Sequence, residues 1–168
     1  MTIAEILKTP AQQQPVTARG WVRTFRSNRF SALNDGSTGS NVQCVVDFEN
    51  TPEDVLKRIT TGAAIEVRGR LVASQGSGQA VEIQVNEVIV HGDSSPEEYP
   101  LQPKRHSLEF LREIAHLRPR TATFSAVFRI RHEAQYAVHQ FFHEQGFYHW
   151  ATPIITSSHA EGAGEMFR

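Results

Sequence analysis

The chain has 168 residues, enough for one ordinary hydrophobic core and part of a second, since domains usually run to about 100–200 residues. Its composition, 39% hydrophobic and 21% charged, is that of a globular chain and excludes both a disordered polyelectrolyte and a membrane protein. The formal charge of −1 exerts no global pull on polyanions, so any nucleic-acid contact must come from a local patch.

The single cysteine, Cys44, sits in an apolar run with no partner, which excludes an intrachain disulfide and fits a reducing compartment. MTIAEILKTP has neither a basic leader nor an unbroken apolar stretch, so it does not read as a signal peptide and the expected location is cytoplasmic. Residues 3 to 8 read as one amphipathic helical turn stopped by Pro10, and the polar AQQQP that follows reads as a linker.

From Val16 the hydrophobic period changes to two, the signature of strands. In VQCVVDF, Val42, Cys44, Val46 and Phe48 share one face, which leaves Gln43 pointing outward with Val45 and Asp47. In FSALND, placing Ser31 and Leu33 inward turns Phe30 outward. In AIEVRGRLV, Ile65 and Val67 face inward and Glu66, Arg68 and Arg70 outward, with Gly69 at a bulge or corner of a closing barrel. In VEIQVNEVIV, Val81, Ile83, Val85, Val88 and Val90 face inward, and Glu82, Gln84 and Asn86 outward. Between the third and fourth strands NTPEDVLKRITTG predicts a short helix with Thr51 as N-cap, Pro52 at its first position and Gly62 ending it.

Five short strands with a helix between the third and fourth is the order of an OB-fold, which binds oligonucleotides on the face of strands two and three. The outward residues fit that use. Phe30 offers a π-surface to an unstacked base, Gln43 and Gln84 offer amides that read base edges, and Arg23 and Arg26 offer charge to phosphates. The pattern alone leaves a second reading open, in which Phe30 caps the barrel end and the arginines are solvated surface charges.

After Gly92 the composition shifts to a proline-rich connector, with SPEEYPLQPKRHS at its centre, that leads into the helix SLEFLREIAHLR, with Ser107 as N-cap and Pro119 as its stop. A long helix follows, with an apolar stripe of Val127, Ile130, Ala134, Ala137, Val138 and Phe141 and with Gly146 beyond its end. FYHWATPIITSS reads as a strand carrying a proline. His139 and His143 form an i, i+4 pair, yet no carboxylate or cysteine completes a zinc set and HEQGFYH lacks the HExxH form, so no metal is expected. GSTGS and GSGQ read as turns, because neither is followed by the lysine and helix of a phosphate loop.

EQGFYHWATPIITSSHAEGAGEMF resembles motif 1 of a class II aminoacyl-tRNA synthetase and the loop behind it, while GWVRTFR, VQCVV and HLRPRT are similar to the aspartyl/asparaginyl subgroup. The wording EGAGEMFR after TPIITSS is closest to the bacterial asparaginyl branch of that subgroup, and the resemblance runs from Arg19 through Arg168. It implies an α+β chain divided into an N-terminal extension (1–15), a five-stranded OB-fold anticodon-binding domain (16–92), a helical connector or hinge (93–120), and the beginning of a class II antiparallel catalytic domain (121–168).

The same resemblance gives residues their roles. Phe30 falls where the family stacks a ring on the central anticodon base, Gln43 where a glutamine reads that base, Arg26 where an arginine helps hold the anticodon, and Gln84 near the position that recognises the first anticodon base. Pro153 matches the motif 1 proline of the homodimer interface, and Glu161 the glutamate of the loop that covers the amino-acid pocket. His159 departs from the smaller polar residue usual in that loop. The implied parent reaction is asparagine–tRNA ligation with ATP and Mg²⁺, and the implied partner is tRNA(Asn). Because the ATP-binding arginines of motifs 2 and 3 do not follow Arg168, the chain is expected to be the N-terminal portion of a longer enzyme and inactive alone, with no catalytic residue of its own. The alternatives are an aspartyl- or lysyl-tRNA synthetase fragment and a stand-alone OB-fold tRNA-binding protein.

Overall fold

The computed structural model describes residues 1–27, 29–76 and 78–155. Met1–Phe128 forms one compact unit, and the chain from Arg129 onward forms a second.

In the first unit the strands β1 (Pro15–Arg26), β2 (Phe30–Asn34), β3 (Val42–Val46), β4 (Ala64–Ala73) and β5 (Val81–Gly92) close into a barrel in the order β1-β2-β3-β5-β4. The β3–β5 pair is parallel and the other four pairs are antiparallel. The expected alternation places the apolar positions of β2, β3 and the first half of β5, but Glu82, expected outward, is buried, and Phe48, expected on the buried face, lies beyond the end of β3 and is exposed. Ser31 and Leu33 of β2, Val42, Cys44 and Val46 of β3, and Val81, Ile83 and Val85 of β5 are buried. Helix α1 (Ile3–Ile6) adds fully buried Ile3 and Ile6 to that core. It is tied to the β2–β3 turn, where the Ile3 N–H donates to Asp35 Oδ2 at 2.9 Å and the Ala4 N–H to Ser37 Oγ at 3.0 Å.

Gly69 lies at a register shift between β4 and β5. A Cβ there would sit 2.0 Å from the Gln84 carbonyl oxygen, so only glycine lets the strands approach so closely at this corner. A second irregularity falls in β1, where the pairing with β2 shifts between Val22 and Thr24.

Several expectations need correction. Glu66 belongs to the outer face by parity, but it is only 3% exposed, because Arg19 and Arg68 fold over its carboxylate at 2.6 and 2.7 Å and His91 approaches to 3.5 Å. Helix α2 (Glu53–Arg58) starts one residue later than the composition indicated, with Pro52 as N-cap. Thr51 does not cap it, since its hydroxyl donates instead to the Asp47 carbonyl at 2.6 Å. Helix α3 (Leu108–Glu113) has the expected Ser107 cap but ends well before Pro119, which lies inside the separate 3-10 turn Arg118–Arg120. The long helix α4 (Ala122–Glu144) forms, and Gly146 beyond it has φ +83°, a conformation that suits glycine. The strand expected from Phe147 is absent among the described residues, which run as irregular backbone to Ile155. A strand needs a neighbour to take its N–H and C=O groups, and no described segment pairs with this one.

Candidate nucleic-acid interface

The pairing registers carry the outward residues from strand to strand. Arg26 pairs with Phe30, Phe30 with Val45, Val45 with Gln84, and Gln84 with Arg70, so these five form one outward row across β1, β2, β3, β5 and β4. The next outward row is Thr24, Ala32, Gln43 and Glu82. Phe30, Gln43, Gln84 and Arg26 therefore lie on a single face, with ring and amides within one or two strand spacings of about 4.8 Å each.

Phe30 is 40% exposed, although a phenyl ring favours burial. Its neighbour Arg29 holds its guanidinium 5.7 Å from the ring centre, so a cation flanks the π-surface. Gln43 is half-buried, and its Nε2 donates to Glu82 Oε2 at 3.0 Å. The same oxygen accepts from Ser74 Oγ at 3.0 Å, and Glu82 is 7% exposed. An ionised carboxylate only accepts, so this contact fixes which end of the Gln43 amide faces Glu82. The Gln43 carbonyl oxygen and its second N–H are left without partners among the described residues, as an adjacent acceptor and donor. Gln84 and Arg26 are exposed.

Arg23 stands apart from this group. It occupies the β1 irregularity, where the outward alternation is broken, and its guanidinium donates to the Arg120 carbonyl of the connector. The Arg120 side chain in turn lies over Trp21, 4.3 Å from the ring centre, and reaches the Tyr99 hydroxyl at 3.4 Å. Arg23 thus fastens barrel to connector, a position that strict alternation could not reveal.

Three residues on or beside the face escaped sequence reasoning. Glu82 was visible only as one outward acid among several, Arg29 only as a neighbour of Phe30, and Arg70 gains significance from its register with Gln84. Pro153 is exposed in the second unit, and Glu161, with His159, lies outside the described residues. No group of three His, Cys, Asp or Glu side chains among the described residues is placed to hold a metal ion. No helix among them is long and apolar enough to cross a membrane.

Residues 16–90 match the OB-fold nucleic acid binding domain family of tRNA anticodon type, and residues 107–168 match tRNA synthetases class II (D, K and N). Among curated relatives, the asparagine–tRNA ligase of Parabacteroides distasonis is 57% identical over 99% of this chain and 36% of its own length. That of Cytophaga hutchinsonii is 55% identical over 99% of this chain and 37% of its own. The chain thus spans little more than a third of the length of the relatives it matches. Among solved structures, the Entamoeba histolytica asparaginyl-tRNA synthetase bound to asparaginyl-adenylate superposes with a TM-score of 0.76 at 26% identity, covering 90% of this chain and 37% of that one. The Pyrococcus horikoshii asparaginyl-tRNA synthetase shares the fold with a TM-score of 0.80 at 23% identity, covering 97% and 38%. The barrel is thus similar to the first family, and the stretch from Ser107 through the long helix is similar to the second, the class II tRNA synthetases (D, K and N).

Proposed function

We propose that the chain is the anticodon-recognising and motif 1 part of an asparagine–tRNA ligase, which joins asparagine to tRNA(Asn) with ATP and Mg²⁺ in the cytoplasm. The observation that carries this reading is the single outward face on which an exposed ring, an oriented amide with a free donor–acceptor pair and a guanidinium stand together. On that face Phe30 stacks on the central anticodon base, Gln43 reads its edge, Gln84 contacts the first base and Arg26 holds a phosphate. Stacking on one ring is worth roughly 1–3 kcal/mol per base, so Phe30 supplies affinity and Gln43 supplies selection.

The asparagine identity draws support from relatives at 55–57% identity across nearly the whole chain. Residues 16–92 act as the anticodon domain, 93–120 as the connector and 121–168 as the opening of the catalytic domain, with Pro153 at a homodimer interface and Glu161 over the amino-acid pocket. ATP and Mg²⁺ belong to the complete ligase. The part assigned here to the described residues is recognition of the tRNA.

Binding of the chain to an asparagine tRNA transcript and to the same transcript with its central anticodon base changed, at matched salt, tests the reading. Preference for the unchanged transcript is expected, and equal affinities refute base reading by this face.

A further inference from the structure

A cavity of about 1050 Å³ lies between β1 and the connector, entirely within the first compact unit. Its lining includes Arg23, Lys104, Arg105 and His106, and no aspartate or glutamate. Lys104 and Arg105 are exposed and have no ion-pair partner among the described residues. Several other surface cations are paired, Arg19 and Arg68 with Glu66 and Arg58 with Asp93. An acid-free cleft with unpaired cations at its lip concentrates positive potential, although the chain as a whole is slightly negative.

The cleft is continuous with the base-reading face. Thr24, which lines it, stands in the same outward row as Ala32 and Gln43. Asn41, which also lines it, precedes Gln43 by two residues. Along β1 the step from Thr24 to Arg26 covers about 7 Å, close to the spacing of neighbouring phosphates on a single strand. A strand leaving the face over β1 therefore meets the cleft at once.

The cleft is not built for a free nucleotide. Its one indole, Trp21, is covered by the Arg120 guanidinium, and its one imidazole, His106, is already stacked on Phe110 with ring centres 5.2 Å apart. The unpaired cations follow one another along the connector instead of converging on a point.

We propose that this cleft holds the phosphodiester backbone of the RNA stem that leads away from the loop read by Phe30, Gln43 and Gln84, with Lys104 and Arg105 as its phosphate ligands. The proposal rests on the anticodon reading above. It extends the RNA footprint from the barrel onto the connector.

The test uses the whole chain, a Lys104→Ala/Arg105→Ala double variant, an asparagine tRNA stem-loop and a loop-only oligonucleotide of the same loop sequence. Both side chains are exposed, so the variant should retain the wild-type circular dichroism and melting curve. Each duplex phosphate contact contributes about 0.9 to the slope of log affinity against log salt. The variant slope on the stem-loop should therefore be shallower by about 2, and affinity near 0.1 M salt should fall by roughly 10- to 100-fold. The preference for the correct central base and the affinity for the loop-only oligonucleotide should stay at wild-type values. Wild-type affinity and slope on the stem-loop overturn the proposal, and so does an equal loss on the loop alone. A wild-type chain that does not distinguish the central base sinks the anticodon reading instead. That outcome is read from a ratio of affinities, whereas the cleft is read from the salt slope.

Discussion

Replacing Gly69 with alanine tests the geometry that closes the barrel behind the proposed site. The added methyl would lie 2.0 Å from the Gln84 carbonyl oxygen, 2.8 Å from its carbon and 2.9 Å from Val85 Cα, all of them backbone atoms that no rotamer change can move. Since even close C···O contacts lie near 3.3–3.6 Å, β4 and β5 must separate locally by more than about 1 Å. Overpacking of this kind costs about 1–3 kcal/mol, and each ladder hydrogen bond lost adds about 1 kcal/mol, for a total of about 2–5 kcal/mol. At roughly 4–8 °C per kcal/mol for a domain of this size, the melting temperature should fall by at least about 10 °C. Gly39 is the control, because a methyl there meets nothing within 4 Å and its φ lies outside the left-handed range. Gly39→Ala should therefore stay within about 0.5 kcal/mol of wild type. Urea denaturation followed by Trp21 fluorescence measures both. A Gly69→Ala midpoint equal to that of Gly39→Ala would refute the strand-contact argument.

Other predictions concern single side chains. The Arg19 hydrogen bond, helped by Arg68 and opposed by burial, holds the Glu66 carboxyl down to about 2, so its contribution to stability is complete above about pH 4.5 and is lost as pH falls toward 2. The urea midpoint should drop across that window and Glu66→Gln should flatten the drop, while an unchanged pH profile in the variant would show that Glu66 does not set it. Burial pushes the Cys44 thiol up to about 12, so a thiol reagent at pH 8 should label it only as fast as the barrel opens. Labelling at the rate of a free thiol in native buffer would contradict its place in the core. Glu82→Ala strands the Gln43 and Ser74 donors and should cost about 1–3 kcal/mol in denaturation. It should also narrow the preference for the correct central base, because the Gln43 amide is no longer oriented, and full retention of that preference would show that Glu82 only supports the fold.

Much of the barrel was legible because period-two alternation is a direct consequence of strand geometry. VQCVV could bury Val42, Cys44 and Val46 only by turning Gln43 out, and FSALN could bury Leu33 only by turning Phe30 out. Alternation fails where the backbone breaks it or where long side chains fold back. The β1 irregularity turns Arg23 toward the connector, and Glu66 is buried on the outer face because two arginines from neighbouring positions close over it. Local capping rules worked for Ser107, whose hydroxyl accepts from the Phe110 N–H, and failed for Thr51, whose hydroxyl is already committed to the Asp47 carbonyl. The helix that carries the apolar stripe forms as α4, and Ile130, Val138 and Phe141 of that stripe are exposed. The segment from Phe147 has strand-like composition but no described strand beside it, and composition alone does not provide a ladder.

Reading of the central anticodon base by Gln43, from a face whose affinity comes from Phe30, is tested most directly by a binding cycle. Wild type, Phe30→Ala and Gln43→Ala are each titrated with an asparagine tRNA transcript and with its central-base variant at fixed salt. Phe30→Ala should weaken both complexes by roughly 5- to 150-fold, the equivalent of about 1–3 kcal/mol of stacking. Gln43→Ala should bring the ratio of the two affinities close to one. A Gln43→Ala variant that keeps the wild-type ratio would contradict base reading by this amide.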